Sequence, residues 1–282
     1  MRISDYILLV ELVLSIILNV FGVYVIISSP SLRSTASNKF ICLLFASHML
    51  TSLSVGTVLF TFYACPEQVW RSIIPAREFL TGMELNFTVM LSLERYVAIQ
   101  KPFLYVKLTA KHGIGAVLIF VLLITIFVCW VSVSVIGYIF GFCVTCAGCC
   151  IVVYSSYCSY RTIKKHLRGI SSVTIASSTE DRQHMQATLK KRQMRSLKIC
   201  FLIAVTYLMS WVPLITFTAF KYCMQTYYGM QFSVDLINAM IIFGYTNSVM
   251  DAIIFFYVCS EARRAAVCCA AFLKKRDREN NT

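Results

Sequence analysis

Three ionisable side chains, His48, Glu84 and Asp251, lie within stretches that are otherwise rich in apolar residues. Such groups are costly to bury in a membrane and commonly bind ions or protons there. With Asn247, the two acids offer oxygen ligands for a sodium ion; alternatively they share a proton, and His48 makes the site sensitive to pH. A neutral hydrogen-bonded cluster that locks helices together is the third interpretation, and the residues alone leave all three open.

A second group able to do chemistry is Glu94-Arg95-Tyr96, at the end of the third apolar stretch. An arginine at a helix end can pair with a neighbouring carboxylate in one state and bind a partner in another, which makes it an electrostatic latch. The alternative is an arginine that extends to lipid headgroups. Pro213, inside the sixth apolar stretch, predicts a kink where that helix can bend, because proline removes one backbone hydrogen bond.

The elements that carry these residues are predicted to be membrane helices. Of the 282 residues, 58% are hydrophobic and 14% are charged, with a mean hydropathy of +0.72, whereas a soluble domain has about 25% charged residues. The apolar stretches have the length of a spanning helix and lack the alternation of a membrane β-barrel. We therefore predict an all-α bundle of seven transmembrane helices, followed by a short amphipathic C-terminal helix. The predicted spans are 6–28, 38–63, 71–96, 113–135, 137–162, 194–220 and 233–258.

The basic residues indicate how the chain is oriented. Most of the 26 Lys and Arg residues follow the first, third, fifth and seventh predicted spans. Because basic residues are retained on the cytoplasmic side, we predict a plasma-membrane protein with an extracellular N-terminus and a cytoplasmic C-terminus. The net charge of +13 is then a topology signal, and nucleic-acid binding is not expected. Residues 169–191, rich in Ser, Thr and charge, are predicted to form a mobile cytoplasmic loop.

The cysteines suggest two kinds of chemistry outside the spans. In the predicted cytoplasmic tail, 259–282, Cys268 and Cys269 follow an amphipathic segment and are candidates for lipidation at the membrane surface. Cys65 and Cys223 are predicted to be extracellular, where they either form a disulfide or remain free. The chain has no phosphate-binding glycine-rich loop and no metal-ligand spacing, so neither enzyme activity nor a cofactor other than sodium is expected.

The motifs and their order resemble the rhodopsin-like (class A) G-protein-coupled receptors. That family carries an acidic-Arg-Tyr triplet at the end of its third span, and Glu94-Arg95-Tyr96 stands in that place. Other positions in register are Asn19, Tyr157, Trp211 with Pro213, and the run from Asn247 to Asp251. A missing cysteine at the start of span three, a short second outer loop and a fifth span without proline are similar to the melanocortin, cannabinoid, lysophospholipid and adenosine receptors.

The resemblance implies a receptor that binds a small extracellular ligand within the bundle. When span six moves outward about its proline, a cytoplasmic cleft opens for a heterotrimeric G protein, and Arg95 and Tyr157 line that cleft. Arg77 stands where amine receptors carry an acid, so an acidic or phosphate-bearing ligand is expected. The residues implied for ligand binding are Arg77, Thr81, Trp211, Leu214, Thr218, Ile241 and Tyr245. Those implied for switching and G-protein coupling are Glu94, Arg95, Tyr96, Tyr157, Pro213, Asp251 and Phe255.

Several departures from the family pattern leave rival functions open. His48 stands where the family has a sodium-binding aspartate, Ala252 replaces a proline, and Phe255 replaces a tyrosine. Glu84, about 16 Å along a helix from Arg95, is expected to face His48 and to supply the missing acid. The rivals are a receptor-like protein that does not signal, and an ion- or proton-coupled transporter that uses the three ionisable residues. The order of the receptor motifs favours the receptor.

Overall fold

The computed structural model describes residues 2–109, 135–173 and 180–268. All regular structure in these ranges is helical, which confirms the predicted all-α class. The structure has eight numbered helices in these ranges, and a further helical segment, 260–268, follows the last of them. These eight are α1 (Ile3–Ser28), α2 (Pro30–Arg33), α3 (Ala36–Ala64), α4 (Glu67–Gln100), α5 (Pro102–Thr109), α6 (Val135–Val173), α7 (Glu180–Tyr228) and α8 (Val234–Val258).

Five of the helices are long and apolar enough to cross a membrane. They are α1, α3, α8, the Cys143–Thr162 part of α6 and the Met194–Tyr228 part of α7. α4 is also long, but the charged residues along it lower its hydropathy. The length and apolar composition of these helices indicate that the chain is a helical membrane protein. The predicted fourth span, 113–135, lies outside the described residues except for its last position, so the number of seven spans stays a prediction.

Prolines and one serine cap explain where several helices begin. Pro30 and Pro102 are the first residues of α2 and α5, and Pro66 directly precedes α4. Proline is favoured at these positions because the first amides of a helix have no intrahelical partner. Ser233 caps α8, since its hydroxyl accepts a hydrogen bond of 3.3 Å from the Leu236 amide.

The predicted loop at 169–191 is largely wrong. Within it, α6 continues to Val173 and α7 begins at Glu180. The segment 180–198 is rich in Arg, Gln, Lys, Met and Leu, and these residues have high helix propensity even where they are polar. The prediction gave weight to polarity and to the serines, and neither prevents a helix from extending beyond the membrane.

The six long helices pack as a ring. α1 packs against α3 and α8, α3 against α4, α4 against α6, α6 against α7, and α7 against α8. α4 also contacts α7 across the interior. Side chains from α3, α4, α7 and α8 therefore share one enclosed space, which is where the ionisable residues lie.

The ring exposes large apolar side chains on its outside and buries several polar and ionisable ones beside its apolar core. Val10 and Phe60 are 68% and 71% exposed, whereas Asn19, His48 and Asp251 are completely buried. Soluble proteins rarely bury charged residues unless these are paired. In a membrane, lipid covers the apolar outer surface, and polar side chains hold the helices together from within. This pattern supports the membrane assignment independently of hydropathy.

Candidate functional site

The three ionisable residues meet at the centre of the ring. The Nδ1 atom of His48, on α3, lies 3.1 Å from Glu84 Oε1, on α4. The other ring nitrogen, Nε2, lies 3.1 Å from Asp251 Oδ2, on α8. All three side chains are at most 2% exposed. The imidazole ring therefore stands between two carboxylates that come from different helices.

Asp251 extends this cluster to a fourth helix. Its Oδ1 accepts a hydrogen bond of 2.8 Å from the hydroxyl of Thr206, on α7. Its Oδ2 accepts a longer one, 3.3 Å, from the amide of Asn247, one turn away on α8. Thr206 was not predicted as a site residue. A polar residue within a predicted span was the available signal, but its partner becomes apparent only when α7 and α8 are packed.

The sodium ion considered for this cluster does not fit the arrangement of its side chains. Because His48 stands between the two carboxylates, these cannot close around one cation. Among the residues that the structure describes, no group of three or more His, Cys, Asp or Glu side chains is arranged to hold a metal ion. Three side-chain oxygens, those of Thr51, Asn247 and Glu84 (Oε1), are buried without hydrogen-bond partners within the described ranges. The first two are neutral, and Glu84 Oε1 already lies 3.1 Å from His48 Nδ1.

A second polar network joins α1 to α3 and α8. The hydroxyl of Ser15 lies 2.9 Å from that of Ser52 and 2.8 Å from that of Ser248. The amide of Asn19 donates to the Ser15 carbonyl at 2.8 Å and to the Ser248 carbonyl at 3.1 Å. All four residues are buried. Asn19 thus fixes α1 against α8.

Glu94 and Arg95 form an ion pair near the C-terminal end of α4, on the side predicted to be cytoplasmic. The guanidinium of Arg95 forms two hydrogen bonds with the Glu94 carboxylate. Its Nη1 also donates to the hydroxyl of Ser196, on α7, at 2.9 Å. Glu94 accepts further hydrogen bonds from Ser37 (3.1 Å) and Tyr105 (2.7 Å). The arginine is only 11% exposed, so it is paired within the protein and does not extend to lipid headgroups.

Tyr105 is a contributor that the sequence analysis missed. It lies on the short helix α5, outside the apolar stretches, and its hydroxyl reaches back to Glu94. Partial burial and the nearby Glu94 carboxylate raise the pKa of Tyr105 to about 12. The phenol is therefore a neutral hydrogen-bond donor at physiological pH.

Other predicted switch residues have different environments. Phe255 is completely buried and packs edge-on against Phe45, with ring centroids 5.5 Å apart. Tyr96 is half-buried, and its ring lies 6.5 Å from that of Tyr154. Tyr157, predicted to line the cytoplasmic cleft, is 59% exposed on α6. In this arrangement Tyr157 does not take part in the latch.

The aromatic part of the predicted ligand pocket is closely packed. Trp211 lies between Tyr207, with ring centroids 6.0 Å apart, and Tyr245, 5.7 Å away. Trp211 is 5% exposed, and its indole nitrogen has no hydrogen-bond partner in the described part of the chain. Leu214 and Ile241 pack against the same cluster. Pro213 lies within α7, two residues from the tryptophan, so bending at the proline would move this aromatic group.

The remaining predicted ligand residues are Arg77, Thr81 and Thr218. Arg77 and Thr81 are half-buried on α4. Thr218 is exposed, and its hydroxyl donates to the Leu214 carbonyl on its own helix at 2.8 Å. The structure thus places five of the seven predicted residues on α7 and α8, and it leaves the ligand role of Arg77 and Thr81 as a prediction.

The structure bears on the predicted disulfide and on one of the two predicted lipidation sites. Cys65 and Cys223 are both free thiols, so the disulfide alternative is not formed. Cys268 is exposed at the end of the helical segment 260–268. Cys269, the second predicted lipidation site, lies outside the described residues. Lipidation of either cysteine stays a prediction.

Two acidic residues on α1 were not predicted as site residues. Asp5, 2% exposed, accepts hydrogen bonds from the Tyr63 hydroxyl at 2.5 Å and the Asn238 amide at 3.0 Å. It thereby joins the ends of α1, α3 and α8. Glu11 accepts a hydrogen bond of 2.8 Å from Thr246. The rule that singled out Glu84 also applies to Glu11, an acid in an apolar stretch, whereas Asp5 precedes the predicted span and its role required the tertiary structure.

Comparisons with known proteins do not place the chain in a family. No protein-family model matches it, and no curated protein is significantly similar to it. The functional argument therefore rests on the motifs and on the contacts just described.

Proposed function

We propose that the chain is a plasma-membrane receptor that binds a small extracellular ligand and activates a heterotrimeric G protein. The observation that carries this proposal is the Arg95 latch. Arg95 is held by Glu94 on its own helix and donates to Ser196 of α7 at 2.9 Å. An arginine that joins two helices through a hydrogen bond, and that is also paired with a carboxylate on its own helix, suits a two-state switch.

The resting state in this proposal is the closed arrangement of α4 and α7. A second contact holds the same part of α7, because Arg195 lies 3.9 Å from Glu261 on the helical segment 260–268. Outward movement of α7 about Pro213 breaks both contacts and frees the Arg95 guanidinium. The C-terminal helix of a G-protein α subunit would enter the resulting cleft and accept hydrogen bonds from it.

The outer half of the bundle supplies the ligand site in this proposal. Trp211, stacked on Tyr207 and edge-on to Tyr245, forms the floor of a mostly apolar pocket, which is typical of small-ligand sites. Arg77 favours a ligand with a carboxylate or phosphate. A ligand that displaces Trp211 would transmit its binding to Pro213, two positions along the same helix. Lipidation at Cys268 and Cys269 would keep the segment 260–268 at the membrane surface.

The test is constitutive G-protein activation in cells that express the full chain, read across several G-protein classes. Arg95→Ala is compared with Arg33→Ala, which removes an exposed arginine of α2. We expect a basal signal in the wild type and in Arg33→Ala, and its loss in Arg95→Ala at equal surface expression. Equal signals in all three would remove the latch mechanism. No signal at any pH or sodium concentration would favour the receptor-like protein that does not signal.

One observation favours a second candidate, a proton-coupled transporter. The His48 cluster links four helices in the interior, and buried ionisable groups form proton relays in transporters. A transporter must expose that cluster alternately to each side, whereas a receptor keeps it enclosed. Proton uptake by proteoliposomes with candidate organic acids distinguishes them, because only the transporter acidifies the vesicle interior in a substrate-dependent way.

A further inference from the structure

The placement of His48 indicates which ligand the central cluster binds. Its two ring nitrogens lie next to different carboxylates. Nδ1 is 3.1 Å from Glu84 Oε1, and Nε2 is 3.1 Å from Asp251 Oδ2. A neutral imidazole has one N–H donor and one acceptor nitrogen. One of the two carboxylates would then face a lone pair at 3.1 Å, which is repulsive when the carboxylate is charged. A doubly protonated imidazolium hydrogen-bonds Asp251 through Nε2 and places its positive charge against Glu84, where the 3.1 Å approach of Nδ1 to Oε1 is an ion-pair contact and not a hydrogen bond.

We propose that this cluster is a proton-binding site, in which an imidazolium on His48 takes the place of a metal cation. The protonated ring carries a positive charge. This charge neutralises Glu84 and Asp251 in the way that a bound metal cation would. The proposal is independent of whether the chain signals through a G protein.

Among the described residues packed around the cluster, no other positively charged side chain contacts these acids. α4 contributes Glu84 and α8 contributes Asp251, while α1 adds only the uncharged Ser15 and Asn19 to the adjoining network. From α7, Thr206 donates to Asp251, and Tyr207 lies near enough to Glu84 to interact with it electrostatically. A buried carboxylate without a counter-ion is strongly destabilising. Within the described residues, the imidazolium is the group that compensates both acids.

The bound proton also explains why the cluster can hold several helices. With the proton in place, charge-assisted contacts join α3 to α4 and α3 to α8, and the Thr206 hydroxyl adds α7 through Asp251. Without it, two carboxylates would remain in the interior and repel each other. The bound proton therefore stabilises the packing of α3, α4, α7 and α8.

The direct test is ring-15N histidine NMR on the full chain in lipid nanodiscs at about pH 8. Ordinary histidines, with a pKa near 6.5, are neutral at that pH. The chain has four histidines, and we expect one imidazolium signal in the wild type that is absent from His48→Gln. A wild-type spectrum without an imidazolium signal would overturn the proposal.

The second test asks whether sodium competes for the site. Thermal unfolding of the wild type is measured in sodium chloride and in choline chloride at equal ionic strength. We expect the same midpoint in both salts, because the proton already occupies the site. A midpoint that rises specifically with sodium in the wild type would contradict the proton assignment.

A third test removes the charges of His48 and Glu84 one at a time and together. It remains informative even if one variant folds poorly. His48→Gln should lower the unfolding midpoint by roughly 10 °C, because it leaves two buried carboxylates unpaired. Adding Glu84→Gln to that variant should recover several degrees or restore folded protein, whereas Glu84→Gln alone should lower the wild-type midpoint. Adding Glu11→Gln, whose carboxylate contacts Thr246 instead, is the matched control and should restore nothing. If Glu84→Gln lowers the midpoint in both backgrounds, or restores no folded protein, His48 does not carry the compensating charge.

Discussion

Arg95 of α4 donates a hydrogen bond to Ser196 of α7 across 2.9 Å, although the two residues are 101 positions apart. Arg95 is also bound to Glu94 beside it, so this one bond connects a local ion pair to the helix that contains Pro213. A hydrogen bond with a charged donor contributes about 1.5–3 kcal/mol. That is enough to shift a two-state equilibrium by tenfold or more.

Ser196→Ala should therefore raise basal G-protein activation by roughly tenfold, because it removes the link to α7 while leaving the Glu94–Arg95 pair intact. The measurement is basal nucleotide exchange in membranes at matched surface expression. Ser72→Ala is the control, since that hydroxyl donates only within α4, to the Val69 carbonyl at 2.7 Å. Unchanged basal exchange in Ser196→Ala would mean that the closed latch does not depend on this bond.

Tyr105→Phe should lower the free energy of unfolding by about 1–2 kcal/mol, because Glu94 loses a buried hydrogen-bond donor. Burial raises the pKa of Tyr105 to about 12, so the neutral form is favoured in the folded protein. Its contribution is then fully present below about pH 10, the pKa of a free tyrosine, and is lost as the pH rises through 12. Unfolding of both proteins at about pH 6 and pH 9 should give the same difference. A difference that changes between these pH values would contradict the assigned role.

The helices and the centre of the site were accessible to sequence reasoning because they depend on local signals. Apolar stretches predicted α1, α3 and α8 to within a few residues, and the cost of burying charge singled out His48, Glu84 and Asp251. Glu94 and Arg95 were recognisable as a pair because they are adjacent in the chain. These predictions required composition and spacing, together with the receptor resemblance, which implied that His48, Glu84 and Asp251 face one another.

The partners of these residues were not accessible in the same way. Ser196, Thr206 and Tyr105 are ordinary polar residues in the sequence, and only helix packing brings them to Arg95, Asp251 and Glu94. The imidazole standing between the two acids is also a tertiary fact, and it decides against the sodium ion. The helical turns after residue 180 were missed because polarity was taken to indicate a loop, although their residues favour a helix.

Gly22→Ala should destabilise the bundle by about 1–3 kcal/mol, because overpacking forces rigid neighbours apart. A Cβ at Gly22 would lie 2.6 Å from ring atoms of Phe45, which itself packs edge-on against Phe255. Gly56→Ala is the matched control, since its Cβ would meet only Leu12, at 3.9 Å, and alanine is the better helix former. We expect a lower unfolding midpoint for Gly22→Ala and an equal or higher one for Gly56→Ala. Equal loss at both glycines would place the effect in the helix backbone.

Thr206→Val should loosen the contact between α7 and α8. Valine keeps the shape of threonine but cannot donate to Asp251, which now receives a hydrogen bond of 2.8 Å. The carboxylate keeps His48 and Asn247 as partners, so the cluster stays assembled while its link to α7 is lost. We expect a decrease of about 1–3 kcal/mol in unfolding free energy and, in the proposed receptor, a higher basal signal.

Thr206→Ser separates this hydrogen bond from changes in packing. Serine restores the hydroxyl but removes the methyl group, so it should return the basal signal to near the wild-type level even if some stability is lost. If Thr206→Ser behaves like Thr206→Val, the methyl group and not the bond to Asp251 governs α7. If valine leaves the basal signal unchanged while serine lowers stability, the His48 cluster is a structural centre that is not coupled to the movement of α7.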